Sequence, residues 1–100
     1  MITVNVLYPN RDGARFDMDY YLASHIPMLR RELGSALKGC TVERGIGDGA
    51  EFAVLCHLRF DSVEAYEQAM GPVGEQVRDD VARYSSEPPI IQLSEVVVAA

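Results

Sequence analysis

Phe52-Ala53-Val54-Leu55-Cys56-His57-Leu58-Arg59-Phe60 carries the most regular pattern in this sequence of 100 residues. From Phe52 to Phe60 every second side chain is apolar, and the positions between them hold Ala53, Leu55, His57 and Arg59. Successive side chains of a β-strand point to opposite faces of its sheet, so this alternation predicts a strand with one face in a core. The other face is expected to carry both apolar and polar side chains.

Weaker alternation predicts three more strands, over residues 2–7, 40–45 and 90–98. Amphipathic segments between the strands predict two helices. The residues expected to cap or end them are Asp17 with Gly34 or Gly39 for the first helix, and Asp61 or Ser62 for the second. Gly71-Pro72 is expected to interrupt the second helix, with Pro72 at the first position of its second piece.

The resulting order, βαββαβ, predicts an α+β fold over residues 1–100 as a single domain. It is typical of the ferredoxin-like sandwich, in which two helices cover one face of an antiparallel sheet. The opposite, open face is then expected to carry Thr3, Asn5, Leu7, Ala53, Leu55, His57 and, depending on the phase of the last strand, either Gln92 and Ser94 or Ile91 and Leu93.

Such an open face is too apolar to be left in water. Packing against the same face of a second copy would cover it, so we expect a homodimer whose two sheets enclose a semi-polar interior. That interior is the expected pocket for a small-molecule substrate or ligand.

Composition excludes several classes of partner. The net charge of −6 argues against nucleic acid and against anionic membranes, because neither would be attracted. No apolar stretch is long enough to span a bilayer, and residues 1–4 lack the features of a signal peptide. Cys40 and Cys56 form no disulfide framework and are expected to be free thiols. A cytoplasmic location is the simplest expectation.

The run from Phe16 to Pro27 contains the most reactive set of side chains. Tyr21 and His25 are four residues apart and should share one face of the first helix. Pro27 has no N–H to offer the Ala23 carbonyl, so the helix is expected to bend there and to leave that carbonyl unpaired. The alternative is an amphipathic helix whose Tyr, His and Pro side chains only pack against the sheet.

The order of four elements is similar to that of the EthD family: Tyr8-Pro9, Phe16-Asp17, Tyr20-Tyr21 and His25-Ile26-Pro27. Weaker similarity continues over residues 62–66 and 80–85. EthD-like proteins belong to the dimeric α+β barrel superfamily, so the resemblance implies the same ferredoxin-like half-barrel and homodimer. The superfamily also includes polyketide cyclases, decarboxylases, cofactor-free monooxygenases, lactone isomerases and haem-binding enzymes, so this fold alone does not determine a function.

With this resemblance, His25 is the expected general acid/base, and Tyr21 is expected to assist it as a second catalytic residue. The expected substrate-binding residues are Asn5, Tyr20, His57, Leu55 and Arg59. Plainer alternatives are a histidine that only stiffens the helix, cross-strand hydrogen bonds for Asn5 and His57, and a solvated rim charge for Arg59. Replacing His25 by Ala at a partly open site is expected to cost about 1 kcal/mol or less in stability.

Other ionisable groups receive structural interpretations. Tyr8 and Tyr66 are expected in the core, and the charges at Glu75, Arg78, Asp79, Asp80 and Arg83 are interpreted as a solvated helix face. No metal site is expected, because Cys56 and His57 point to opposite faces and His25 is one ligand alone. No cofactor is expected either, although one axial histidine can suffice for haem.

Three functional hypotheses follow. The first is a cofactor-independent enzyme that cyclises, isomerises or decarboxylates a small aromatic or polyketide-like substrate by proton transfer. The second is a non-catalytic protein that binds a small molecule in the same pocket. The third, and weakest, is a haem-handling protein.

Overall fold

Four antiparallel strands form a single sheet in the computed structural model, which describes residues 1–100. The strands are β1 (Ile2–Pro9), β2 (Gly39–Arg44), β3 (Phe52–Phe60) and β4 (Ile90–Glu95), in the spatial order β2-β3-β1-β4. This topology, with all helices on one face, confirms the predicted ferredoxin-like sandwich. β1 extends to Pro9, which was expected in a loop, and β4 ends at Glu95, three residues before the predicted end.

The first helical segment, residues 18–33, consists of α1 (Met18–Tyr20), a π-helical turn (Tyr21–His25) and α2 (Ile26–Leu33). Asp17 is its N-cap, because the Asp17 carboxylate accepts a hydrogen bond from the Tyr20 N–H at 3.0 Å. The segment ends at Gly34, whose φ of +57° lies in a region that residues other than glycine avoid. A short 3₁₀ turn (Gly34–Ala36) follows.

A π-helical turn lies immediately before Pro27, where the sequence predicts a bend. The Ile26 N–H bonds to the Tyr21 carbonyl, five residues back, immediately before Pro27. Pro27 has no N–H to donate, and its ring cannot approach the Ala23 carbonyl four residues upstream. A wider turn before the proline accommodates both restrictions. The helix continues through His25, and the Tyr21 and His25 rings stack with centroids 5.4 Å apart at 14°, as their spacing predicted.

The second helical segment is divided where Gly71-Pro72 predicted a break. Its parts are α3 (Val63–Met70) and α4 (Gly74–Asp80), and Ser62 caps α3 by accepting from the Ala65 N–H at 3.1 Å. The placement of Pro72 at the first position of the second piece is wrong: α4 begins at Gly74, and Val73 occupies its cap position. None of the helices combines the length and the apolar character that crossing a membrane requires.

The core lies between the sheet and the helices. Strand side chains from β1 and β3 meet the helical segment of residues 18–33 and Tyr84, which follows α4. The buried members are Ile2, Val4, Tyr8, Val54, Cys56, Leu58 and Phe60 from the sheet, and Tyr21, Ile26, Leu29, Leu33 and Tyr84 opposite them. Tyr8 therefore lies in the core, and Tyr66 packs against it, as predicted.

The strand register settles which residues of β4 share the open face. Asn5 is opposite Gln92 and Thr3 is opposite Ser94, so Gln92 and Ser94 join the open face, and Ile91 and Leu93 point towards the helices. Leu7, Leu55 and Ile90 supply the apolar part of that open face.

Candidate functional site

A cavity of about 410 Å³ lies between the sheet and the helices of one chain. Tyr8, Tyr21 and His25 line its buried end, whereas Arg78 and Ile91 line it where the surface is exposed. The cavity therefore opens between α4 and the β4 edge of the sheet. The sequence placed the expected pocket elsewhere, on the open face between two copies.

A chain of hydrogen bonds reaches the buried end of this cavity. His25 Nδ1 is 2.8 Å from Asp80 Oδ2, and His25 Nε2 is 3.3 Å from the Tyr84 hydroxyl. The Tyr84 hydroxyl is in turn 2.5 Å from that of Tyr8. Because an ionised carboxylate can only accept, His25 donates from Nδ1 and accepts at Nε2. Tyr84 then donates to His25, and Tyr8 donates to Tyr84.

Asp80 holds the outer end of this chain. Its second carboxylate oxygen accepts a hydrogen bond from the Tyr20 hydroxyl at 2.8 Å, and Arg83 Nε lies 3.7 Å from the same oxygen. The Asp80 side chain is only 16% exposed. The interpretation of Asp80 as part of a solvated helix face is therefore wrong, because the carboxylate is turned towards His25 and Tyr20.

Asp80 and Tyr20 also line a second, shallower depression on the outer surface. This outer groove of about 660 Å³ runs between the two helical segments and is lined by Tyr20, Ser24, Met28, Pro72, Glu75, Gln76, Asp79, Asp80 and Arg83. The His25–Asp80 pair thus lies between the cavity on one side and the outer groove on the other.

Burial and hydrogen bonding determine the charges along the chain. Burial lowers the pKa of His25 below its ordinary value, although the neighbouring Asp80 partly opposes that effect. For Asp80, burial raises the pKa, but hydrogen bonds from His25 and Tyr20 outweigh it and the pKa is lowered. At neutral pH the pair is a neutral imidazole beside a carboxylate.

The three buried tyrosines remain protonated phenols. Burial raises the pKa of Tyr8 to about 12, and burial is also the main reason why the pKa values of Tyr21 and Tyr84 are raised. Tyr84 can therefore donate a hydrogen bond at any ordinary pH. Its 3.3 Å contact with His25 Nε2 is long, so a bound molecule can replace Tyr84 at that nitrogen.

The remaining sequence-predicted residues lie on the open face, across the sheet from His25. His57 Nδ1 is 2.8 Å from Asn5 Oδ1, and His57 Nε2 is 2.9 Å from Glu43 Oε1. Asn5 also donates to the Gln92 carbonyl and to Ser94 Oγ, both at 3.0 Å. Leu55 and Arg59 lie two residues before and after His57 in β3, so their side chains share its face of the sheet.

The structure therefore brings His25, Tyr20 and Tyr21 together and separates them from Asn5, His57, Leu55 and Arg59. It adds Asp80 and Tyr84, which the sequence did not identify as site residues. Apart from the weak family resemblance over residues 80–85, their only local signal is a carboxylate four residues before a tyrosine at the end of an amphipathic segment, a pattern that surface helices share. Nowhere do three or more His, Cys, Asp or Glu side chains gather in a group that could hold a metal ion.

Comparison with solved structures found chains of the same fold. An EthD-like protein from Ralstonia eutropha JMP134 is 42% identical, with a TM-score of 0.90, over 99% of this chain and 94% of that one. An EthD family protein from Bacillus halodurans C-125 is 22% identical, with a TM-score of 0.75, over 97% and 99%. A dimeric protein of ferredoxin-like fold from Bacteroides fragilis NCTC 9343 is 16% identical, with a TM-score of 0.62, over 95% of each chain. No protein-family model matches this chain, and no curated protein sequence matches it either.

Proposed function

Because this chain belongs to the EthD family, we propose that it is a cofactor-independent enzyme that moves protons on a small aromatic or polyketide-like substrate. One observation carries the proposal. The hydrogen-bonded chain Tyr8–Tyr84–His25–Asp80 ends at the buried end of a largely apolar cavity. A base held by a carboxylate, with a phenol beside it, is the arrangement that proton abstraction next to a carbonyl requires.

In the proposed reaction, His25 Nε2 takes a proton from the carbon beside a substrate carbonyl. The electrons of that C–H bond form an enolate, whose oxygen receives a hydrogen bond from the Tyr84 hydroxyl. Asp80 fixes the tautomer of His25 and stabilises the imidazolium that forms. Return of the proton to another carbon gives isomerisation, and attack by the enolate carbon on a second carbonyl gives cyclisation. In a decarboxylation, His25 would first take the proton of the substrate's carboxylic acid, and the imidazolium so formed would protonate the carbanion left by CO₂.

The size and lining of the cavity support a substrate of one or two rings. A volume of about 410 Å³ lies in the lower part of the usual range for ligand pockets. Aliphatic, aromatic and proline side chains form most of the wall, and its polar side chains include His25 and Tyr84 at the buried end and Arg78 at the mouth.

Isotope exchange tests the proposed proton transfer. We expect the protein to accelerate deuterium uptake from D₂O at the α-carbon of 6-hydroxy-1-tetralone, measured by NMR. His25→Gln keeps a polar side chain beside Asp80 but has no basic nitrogen, so we expect it to slow this exchange by about a hundredfold or more. His57→Gln, on the open face, is the matched control and should exchange at the parent rate. Equal rates for His25→Gln and the parent would contradict the catalytic role of His25.

A non-catalytic binding protein is the second candidate, because the same cavity could hold a ligand without reaction. Binding of the tetralone with no acceleration of exchange would favour it. The donor set is unfavourable for haem. Both ring nitrogens of His57 have hydrogen-bond partners within 2.9 Å, so axial ligation by His57 would have to break one of these contacts.

We also propose that the open face is the interface of a homodimer. Leu7 and Leu55 lie at its centre and Ile90, 48% exposed, at its edge, so a second copy would remove apolar surface from water. The dimeric state of the Bacteroides fragilis neighbour supports this proposal.

Leu55→Asp tests the interface. We expect it to weaken self-association by at least about tenfold, since an unpaired carboxylate would be buried at the centre of the contact. Leu22→Asp introduces the same charge at a half-exposed helix position and should leave association unchanged. Sedimentation equilibrium provides the measurement, and equal association constants for Leu55→Asp and the parent would rule out this face as the interface.

A further inference from the structure

The wall of the cavity has a charge pattern opposite to that of the whole chain. The sequence contains 15 acidic residues and has a net charge of −6. Nevertheless, none of the 18 residues that line the cavity is Asp or Glu, and the only permanently charged one is Arg78. Glu75 and Asp79, also on α4, line the outer groove instead.

Arg78 has no partner within the protein. The ion pairs of the molecule involve Arg31, Lys38, Arg83 and the two histidines, but not Arg78, and its guanidinium makes no hydrogen bond to another side chain. Five other arginines also take part in no ion pair, but Arg78 is the one arginine that lines the cavity. Its free guanidinium therefore leaves five N–H donors available to a ligand at the mouth.

Gly74 allows the guanidinium to lie against α4 at this mouth. A Cβ atom at Gly74 would come within 3.0 Å of Arg78 Nη1, which is closer than ordinary packing. Gly74 is itself buried and also lines the cavity. The absence of a side chain at Gly74 thus leaves room for the guanidinium one helical turn away.

Building on the proposed function, we infer that the substrate is an anion: a small aromatic or aliphatic acid that also carries a carbonyl oxygen. Its carboxylate pairs with Arg78 at the mouth, where planar guanidinium and carboxylate groups can form two parallel hydrogen bonds. Its apolar body fills the cavity between α4 and the sheet. Its carbonyl oxygen meets Tyr84 at the buried end, beside His25.

A neutral and a charged probe of the same shape test this inference. We compare 2-naphthoate with 2-naphthamide by isothermal titration calorimetry, using the parent, Arg78→Gln, Arg78→Lys and Arg30→Gln. The parent should bind the acid at least about tenfold more tightly than the amide, because only the acid gains charge-assisted hydrogen bonds. Arg78→Gln should lose that preference while still binding the amide, and Arg78→Lys should keep part of it. Arg30→Gln removes the same charge from an exposed helix position outside the cavity and should behave as the parent.

The outcomes separate this inference from the proposed function. If Arg78→Gln keeps the full preference for the acid, or if the parent shows no preference, the role of Arg78 is overturned while binding of the amide still supports the cavity. His25→Gln is titrated with the same two probes. If the preference survives in Arg78→Gln but is lost in His25→Gln, the anion lies at the buried end and the inference is again overturned. If the parent binds neither probe, both proposals fail.

Discussion

His25→Ala is expected to lower the free energy of unfolding by about 2–4 kcal/mol at pH 7.5, because buried hydrogen-bonding groups would lose their partner. His25 is 3% exposed, so the partly open site expected from the sequence is wrong. The cost of about 1 kcal/mol or less was expected for such an open site and no longer applies. Without the imidazole, the Asp80 carboxylate keeps only Tyr20 and the distant Arg83, and the Tyr84 hydroxyl loses its acceptor.

The free energy of unfolding that His25→Ala loses should be smaller in acid, and the pKa shift of His25 gives the direction of this change. The pKa of His25 is lower in the folded protein than its ordinary value of 6.5, so the unfolded chain binds the proton more readily. The parent therefore has its full stability above pH 6.5 and loses part of it as the pH falls towards the folded pKa. His25→Ala lacks that dependence.

Urea unfolding at pH 7.5 and at pH 5.5 provides the measurement, with His57→Ala, on the opposite face of the sheet from His25, as the control. A difference between the parent and His25→Ala that stays the same or grows on acidification would contradict the assigned protonation state. A stability loss below about 1 kcal/mol at pH 7.5 would contradict the buried network itself.

Tyr21→Ala is expected to cost about 3–5 kcal/mol, as for a large aromatic side chain removed from a core. Tyr21 is 1% exposed, and its ring lies between those of Phe16, Tyr84 and His25, with centroids 4.9, 4.9 and 5.4 Å away. Tyr21→Phe keeps this packing and removes only the hydroxyl, so its cost should be about 1.5 kcal/mol or less.

The pair of substitutions also separates two roles for Tyr21. If the residue positions His25 by packing, Tyr21→Phe should keep deuterium exchange into the tetralone near the parent rate. A loss of exchange in a Tyr21→Phe protein that unfolds normally would instead make its hydroxyl a catalytic group. Thermal unfolding and exchange should therefore be measured on the same samples.

The fold was predictable because its signals are local. The alternation in β3 has a period of two over nine residues, so its core face and its open face could be assigned without knowledge of any partner strand. The caps Asp17 and Ser62 and the break at Gly71-Pro72 are local signals of the same kind. The sequence leaves the phase of β4 open because both faces of that strand carry apolar side chains, and only the pairing of Asn5 with Gln92 resolves it.

The site was only partly predictable, because its central contact joins distant parts of the chain. Tyr21 and His25 are neighbours on one helix, and their spacing indicated that they share a face. His25 and Asp80 are 55 residues apart in sequence, and nothing in the composition of α4 distinguishes Asp80 from the exposed Asp79. Asn5 and His57 were assigned to the correct face of the sheet, but the sheet itself then separates them from His25.

In the proposed enzyme, the position of Asp80 between the cavity and the outer groove would have a consequence for turnover. A substrate that closes the mouth beside Arg78 excludes water from the reacting atoms, and in a cavity with a single entrance it would also trap any surplus proton there. Here the carboxylate that supports His25 borders the outer groove on the opposite side of the helical layer. In the proposed enzyme, proton exchange through Asp80 and substrate entry beside Arg78 would thus have separate routes, so the cavity would stay dry while His25 exchanges its proton between turnovers.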